Sequence, residues 1–222
     1  MQYSAPLVVE TCSPITAAII WLHGLGSNGY DFEPIVPQLR LPPSLGVRFV
    51  FPHAPQLPVT VNGGYVMPAW YDILDMKIDR KVDKMQLMAS ANFIHTLIDK
   101  EIESGVSSKR IILAGFSQGG AVGYQAALTY PQPLGGLIAM STYFATSNHI
   151  ELNPANLSLP ITIFHGTQDS VVDESLGRLA VDKLLAMGLS PDYQTYAMAH
   201  TVCPEEVDAI SSWIKNILSA NA

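Results

Sequence analysis

Short apolar runs rich in Ile, Val, Leu and Phe recur along the chain, separated by longer stretches whose apolar residues fall at helical spacing. A run that is apolar on both faces is what a strand buried between two helix layers requires, so the alternation predicts a mostly parallel sheet flanked by helices. Strands are expected over residues 17–22, 47–52, 110–116, 136–141, 161–165 and 192–197, and helices over 31–40, 82–104, 118–130, 175–187 and 204–220. The last helix opens on Pro204-Glu205-Glu206, where proline gives up a donor the helix would not use and the acids complement its dipole. Pro42-Pro43, residues 52–58 and residues 153–160 read as loops. Residues 57–72, with Pro58, Asn62-Gly63-Gly64 and Pro68, read either as a small hairpin over one end of the sheet or as a plain surface connection.

The 222 residues fit one α/β core, so a single domain over 1–222 is expected. Hydrophobic residues make up 48% and charged residues 14%, which excludes a solvated disordered polymer. The formal net charge of -7 opposes a phosphate backbone, so nucleic acid is not an expected partner. Cys12 and Cys203 are too few for a disulfide framework, which favours a reduced, cytoplasmic chain. The start lacks the basic and apolar regions of a leader, and no apolar run reaches the roughly 18 residues of a membrane span, so integral membrane association is not expected.

Gly115-Phe116-Ser117-Gln118-Gly119 fits G-x-S-x-G between an apolar run and a helical pattern. The letters alone would arise by chance in roughly one chain of this length in fifteen, so the context carries the reading. A sharp strand-to-helix turn strains the central residue, exposes its hydroxyl, and leaves no room for a Cβ on the flanking residues. The plain alternative is a glycine-rich helix start with a capping serine. A neutral serine is a weak nucleophile and needs a base and a group to orient that base. Asp169 follows the strand at 161–165, and His200 follows the strand at 192–197, in the order Ser, Asp, His of an α/β-hydrolase fold. Taken singly, Asp169 has a competing reading as a helix cap and His200 one as a satisfied loop histidine. The edge beyond the strands' carboxyl ends is where such sheets place their ligands. Two donors for a developing oxyanion are expected from the backbone N–H of Gln118, after the nucleophile, and of Leu25, in the glycine-bearing loop His23-Gly24-Leu25-Gly26.

His53, His95 and His149 share no metal-ligand spacing, and neither H-E-x-x-H nor a paired C-x-x-C occurs, so no metal is expected. No G-x-G-x-x-G or G-x-x-x-x-G-K pattern occurs either, and no cofactor is expected.

Together these residues resemble the phospholipase/carboxylesterase family of small α/β-hydrolases, which includes the acyl-protein thioesterases. The resemblance rests on Leu22-His-Gly-Leu-Gly26, Phe51-Pro-His-Ala-Pro55, Ala69-Trp-Tyr-Asp-Ile73, Gly115-Phe-Ser-Gln-Gly-Gly120, His165-Gly-Thr-Gln-Asp169 with Val171-Val172, and Met198-Ala-His200 with Glu205-Glu206. The segment Asp79-Arg-Lys-Val-Asp83 looks closer to bacterial carboxylesterase members, and Thr201 stands where the family commonly has Ser. The resemblance implies Ser117 as nucleophile, His200 as base, Asp169 as orienter, and Leu25 and Gln118 as oxyanion donors. It also implies an acyl groove beside Trp70 and pairing as a homodimer. Trp70, Leu74, Val171 and Val172 are expected to contact the acyl chain, with core roles as the competing reading for the valines.

The expected function is a serine carboxylesterase acting on short- to medium-chain acyl esters, with a small-molecule acyl ester or acylated substrate as partner. The alternatives are an acyl-protein thioesterase or lysophospholipase and, from another class, a non-catalytic hydrolase-fold binding module. Retention of Ser117, Asp169 and His200 together counts against the last.

Overall fold

A computed structural model of the chain describes residues 1–75 and 81–220. Asp79 and Arg80, from the segment compared above with bacterial members, lie outside the described residues. The strands in chain order are β1 (Leu7–Glu10), β2 (Ala17–Leu22), β3 (Val47–Phe51), β4 (Gln56–Val59), β5 (Tyr65–Pro68), β6 (Ile73–Asp75), β7 (Lys81–Val82), β8 (Ile111–Phe116), β9 (Gly136–Met140), β10 (Ile161–Gly166) and β11 (Asp192–Tyr196). The helices are α1 (Lys84–Glu103), α2 (Gln118–Thr129), α3 (Glu174–Ala186) and α4 (Pro204–Ala220).

A seven-stranded sheet in the order β1-β3-β2-β8-β9-β10-β11 forms the centre, parallel except where β1 pairs antiparallel with β3. Period-two alternation sends its apolar residues to both faces. Ala18, Ile20 and Leu22 of β2 join a core with Leu87, Ile94 and Ile98 of α1, Val122 of α2 and Leu176 of α3. Ala17, Ile19 and Trp21 of the same strand join a second core with Val207, Ile210 and Ile214 of α4. All six residues of β2 are therefore buried. The mostly parallel sheet flanked by helices read from the apolar runs is the architecture observed.

The differences have local causes. Residues 31–40 form two short 3-10 turns, Glu33–Ile35 and Pro37–Leu39, and not a helix. Pro34 and Pro37 lack the N–H groups an α-helical ladder would use, and Arg40 closes the segment at φ 44°. Helix α1 starts two residues after the expected position because Asp83 takes the N-cap, its carboxylate accepting the Gln86 N–H at 3.0 Å. The edge strand β1 was not expected. It is short and half-exposed, with none of the two-faced burial that marks the central strands. β4 and β5 form the antiparallel hairpin over residues 57–72, and the short pair β6 and β7 follows it.

Helix α4 carries a buried acid at its start. Glu206 is fully buried, and neither carboxyl oxygen meets hydrogen-bond geometry with a described group. Burial pushes its pKa up to about 8, against the opposing pull of the Cys203 N–H. A carboxyl whose pKa is higher folded than unfolded holds an extra proton in the folded state between the two values. Its contribution to stability is thus complete below the ordinary carboxylate range and is lost as pH rises toward 8, by up to about 1.4 kcal/mol per pH unit. Glu206→Gln should flatten this slope. The check is the melting temperature of both proteins from about pH 5 to pH 8.5; equal slopes would show that Glu206 does not titrate in this window.

Candidate active site

Because the strands are parallel, the loops that leave β2, β8, β10 and β11 emerge at one edge. The sharpest of these turns is at Ser117, whose φ of 53° and ψ of -120° lie outside the regions that side chains favour. Its neighbours leave no room for a larger residue: a Cβ on Gly115 would lie 2.5 Å from the Gly119 carbonyl oxygen, and one on Gly119 would lie 2.6 Å from that of His23. The turn is held by Ser117 N–H donating to Met140 O at 2.9 Å and Thr142 Oγ1–H donating to Ser117 O at 2.6 Å.

The Ser117 hydroxyl is within hydrogen-bond reach of His200 Nε2, at 3.0 Å, and His200 Nδ1–H donates to Asp169 Oδ2 at 2.7 Å. A carboxylate only accepts, so Nδ1 carries the ring proton and Nε2 offers its lone pair to the serine. Asp169 Oδ1 accepts the Val171 and Val172 N–H groups at 2.9 and 2.8 Å. Burial pushes the Asp169 pKa up, but the His200 hydrogen bond and the two backbone donors outweigh it and hold the carboxyl below its ordinary value. His165 Nε2–H donates to Val172 O at 2.8 Å, which fixes the turn presenting those two donors.

Leu25 and Gln118 both line the cavity that holds the Ser117 hydroxyl. The Gln118 N–H opens α2, where the first turn of a helix has no internal acceptor. His23 is buried, its pKa pushed down by that burial to about 4, and it stays neutral. Its Nδ1–H donates to Gly24 O at 2.7 Å and its Nε2 accepts the Ala54 N–H at 3.1 Å, so it braces the Leu25 loop.

The four expected acyl contacts part company. Val171 lines the Ser117 cavity, which has a volume of about 330 Å³. Leu74 is exposed and lines a neighbouring cavity instead. Val172 is buried in the core beside Asp169. Trp70 is fully buried and lines neither cavity. Its indole N–H donates to His23 O at 2.9 Å, its backbone N–H donates to Gln118 Oε1 at 2.8 Å, and Gln118 Nε2 donates to Tyr71 O at 2.6 Å. Trp70 is a brace between the Leu25 loop and the start of α2, because the Gln118 side chain draws its segment inward. The walls also take Val61 from the turn after β4, Ile73 from β6, Phe116, and Tyr143 from the loop after β9. Phe116 lies within the G-x-S-x-G motif and Ile73 within the block Ala69-Trp-Tyr-Asp-Ile73, while Tyr143 stands just past a strand's carboxyl end. Among the described residues no group of three or more His, Cys, Asp or Glu could hold a metal ion, and no helix is long and apolar enough to cross a membrane.

Comparison with known proteins gives consistent matches. The profile of the family described as Phospholipase/Carboxylesterase matches residues 4–218. A Neurospora crassa protein named acyl-protein thioesterase 1 is 40% identical over 220 residues, covering 94% of this chain and 90% of the relative. The crystal structure of Arabidopsis thaliana SOBER1 superposes with a TM-score of 0.86 at 31% identity, covering 91% of this chain and 99% of that one. That of Zea mays acyl-protein thioesterase 2 superposes with a TM-score of 0.84 at 29% identity, covering 97% and 100%.

Proposed function

The chain belongs to the phospholipase/carboxylesterase family and is a hydrolase of ester or thioester bonds, and from that premise we propose that it cleaves the acyl thioesters of acylated proteins. The observation that carries the mechanism is the hydrogen-bonded row Ser117, His200, Asp169 at a cavity wall. In this reading Ser117 Oγ attacks the acyl carbonyl while His200 Nε2 takes its proton, and Asp169 holds the ring and stabilises its cationic form. The Leu25 and Gln118 N–H groups meet the oxyanion, each donor contributing about 2.7 to 4 kcal/mol by analogy with mutational tests elsewhere. His200 passes that proton to the departing thiolate, and the neutral ring then takes a proton from the water that attacks the acyl carbonyl and returns it to Ser117 Oγ as the acid leaves.

The same row serves an oxoester, so the mechanism alone does not choose between the bonds. The names of the curated relatives favour acyl-protein thioesterase over the short-chain carboxylesterase expected from the residues. The chemistry agrees, since a thiol of pKa about 8.5 leaves as the anion with little help, whereas an alkoxide needs a full proton from His200. A matched pair of acylated peptides, one S-acylated on Cys and one O-acylated on Ser, tests the reading, with the Ser117→Ala protein as blank. We expect kcat/KM on the thioester to exceed that on the oxoester by about tenfold or more, equivalent to about 1.4 kcal/mol. Equal values, together with faster turnover of small p-nitrophenyl esters, would restore the carboxylesterase reading.

A further inference from the structure

Beside the Ser117 cavity lies a second cavity of about 620 Å³, and Tyr143 forms part of the wall of both. Strand β6 runs between them. Ile73 lines the Ser117 side and Leu74, the next residue on an extended backbone, lines the other. Their chemistry differs. Around Ser117 the walls are mainly apolar, with Val61, Ile73, Phe116 and Val171. The second cavity has an apolar side formed by Phe144, Leu176 and Leu179, but Lys81, Lys84, Lys183 and His149 also line it. Among the described residues, no Asp or Glu lines it.

That grouping runs against the composition of the chain, which carries 12 Lys and Arg against 19 Asp and Glu. The three lysines come from separate elements: Lys81 from β7, Lys84 from the first position of α1, and Lys183 from α3. Lys183 is oriented by its Nζ donating to Asn148 Oδ1 at 2.9 Å. A concave site lined by one sign of charge, with a low-dielectric wall, concentrates the field for a ligand of the opposite sign. Its volume is that of a small-molecule site, not of a flat protein surface.

A thioester has two halves. With the carbonyl at Ser117 and the acyl chain against the apolar wall, the thiol half has the neighbouring cavity within reach across Tyr143. We propose that this cavity is a subsite for a negatively charged group carried by the leaving thiol close to the scissile bond. Two sources supply that chemistry: an acidic side chain beside the acylated cysteine of a peptide, or the phosphate of a small acylated thiol. The inference rests on the thioester reading above and adds to it which thiols are preferred.

Two matched pairs test it. One is an S-butyryl peptide with Glu on both sides of the cysteine against the same peptide with Gln; the other is butyryl-coenzyme A against S-butyryl-N-acetylcysteamine. The charged member of at least one pair should show a kcat/KM about tenfold higher, carried by KM. A preference in the first pair identifies an acidic segment, one in the second a phosphate, and either supports the subsite. The Lys84→Ala, Lys183→Ala double variant, altered at two positions outside the packed core, should lose most of the preference, and raised salt should erode it in the parent. Equal rates within both pairs, or a preference unchanged in the double variant, would overturn the proposal. Calorimetric binding of an uncleavable thioether analogue of the Glu peptide to the Ser117→Ala protein separates the two readings. Binding that weakens in the added lysine variants, with no hydrolysis by the parent, would remove the role of Ser117 and keep the subsite.

Discussion

Replacing Ser117 with Ala should abolish covalent labelling by a fluorophosphonate and lower kcat on any accepted ester or thioester by about four to six orders of magnitude. The size follows from the geometry. Among the described residues, the Ser117 hydroxyl is the partner that His200 Nε2 reaches, at 3.0 Å, so its removal leaves a base with water to activate. In the proposed mechanism, binding in the cavity and the N–H groups of Leu25 and Gln118 survive the change and supply the residual rate. The turn should survive as well. It is held by backbone and by the Thr142 hydroxyl, through Ser117 N–H to Met140 O and Thr142 Oγ1–H to Ser117 O, and neither bond uses the serine side chain. Melting temperature and far-ultraviolet circular dichroism should therefore match the parent while activity disappears. A variant that folds and still turns over within about a hundredfold of the parent would remove Ser117 from the chemistry.

What could be read along the chain and what could not divide on a physical line. The strained turn was legible because its requirement is steric and local: Gly115 and Gly119 abut backbone across the turn, and few other residues fit. Asp169 and His200 were legible because each follows a strand, and parallel strands deliver their ends to one edge. The cavity walls were not. Trp70 resembles a groove residue by its place in a loop, and what buries it is the Gln118 side chain, which arrives from another part of the chain and bonds to the backbone of residues 70 and 71. Val171 and Val172 are adjacent and equally apolar, yet one faces the cavity and one the core because the turn around Asp169 sends them in different directions. Misreading residues 31–40 as a helix had a similar origin, since apolar spacing outweighed the two prolines that forbid the hydrogen-bond ladder.

The second large effect is expected at Asp169, where Asn preserves shape and reverses one hydrogen bond. Asp169 Oδ1 accepts two backbone N–H groups, from Val171 and Val172, so the carbonyl oxygen of an Asn has to take that place and its NH2 has to face His200 Nδ1. An NH2 donates, so Nδ1 becomes an acceptor and the ring proton moves to Nε2, facing Ser117. The base then has no lone pair to offer the hydroxyl, and kcat should fall by about 10⁴ with KM changed little. Stability should respond with the opposite pH sense to Glu206. Because its hydrogen bonds hold the Asp169 carboxyl below its ordinary value, the parent gains stability above the usual carboxylate range and loses it as pH falls through the lowered pKa. Asp169→Asn lacks that term, so the difference in melting temperature between the two proteins should shrink on acidification. Full activity in Asp169→Asn, with the same turn intact, would mean that His200 is oriented by something other than this carboxylate. The two readouts are independent: the rate reports which nitrogen carries the proton, and the acid limb reports whether the carboxylate was ionised in the first place.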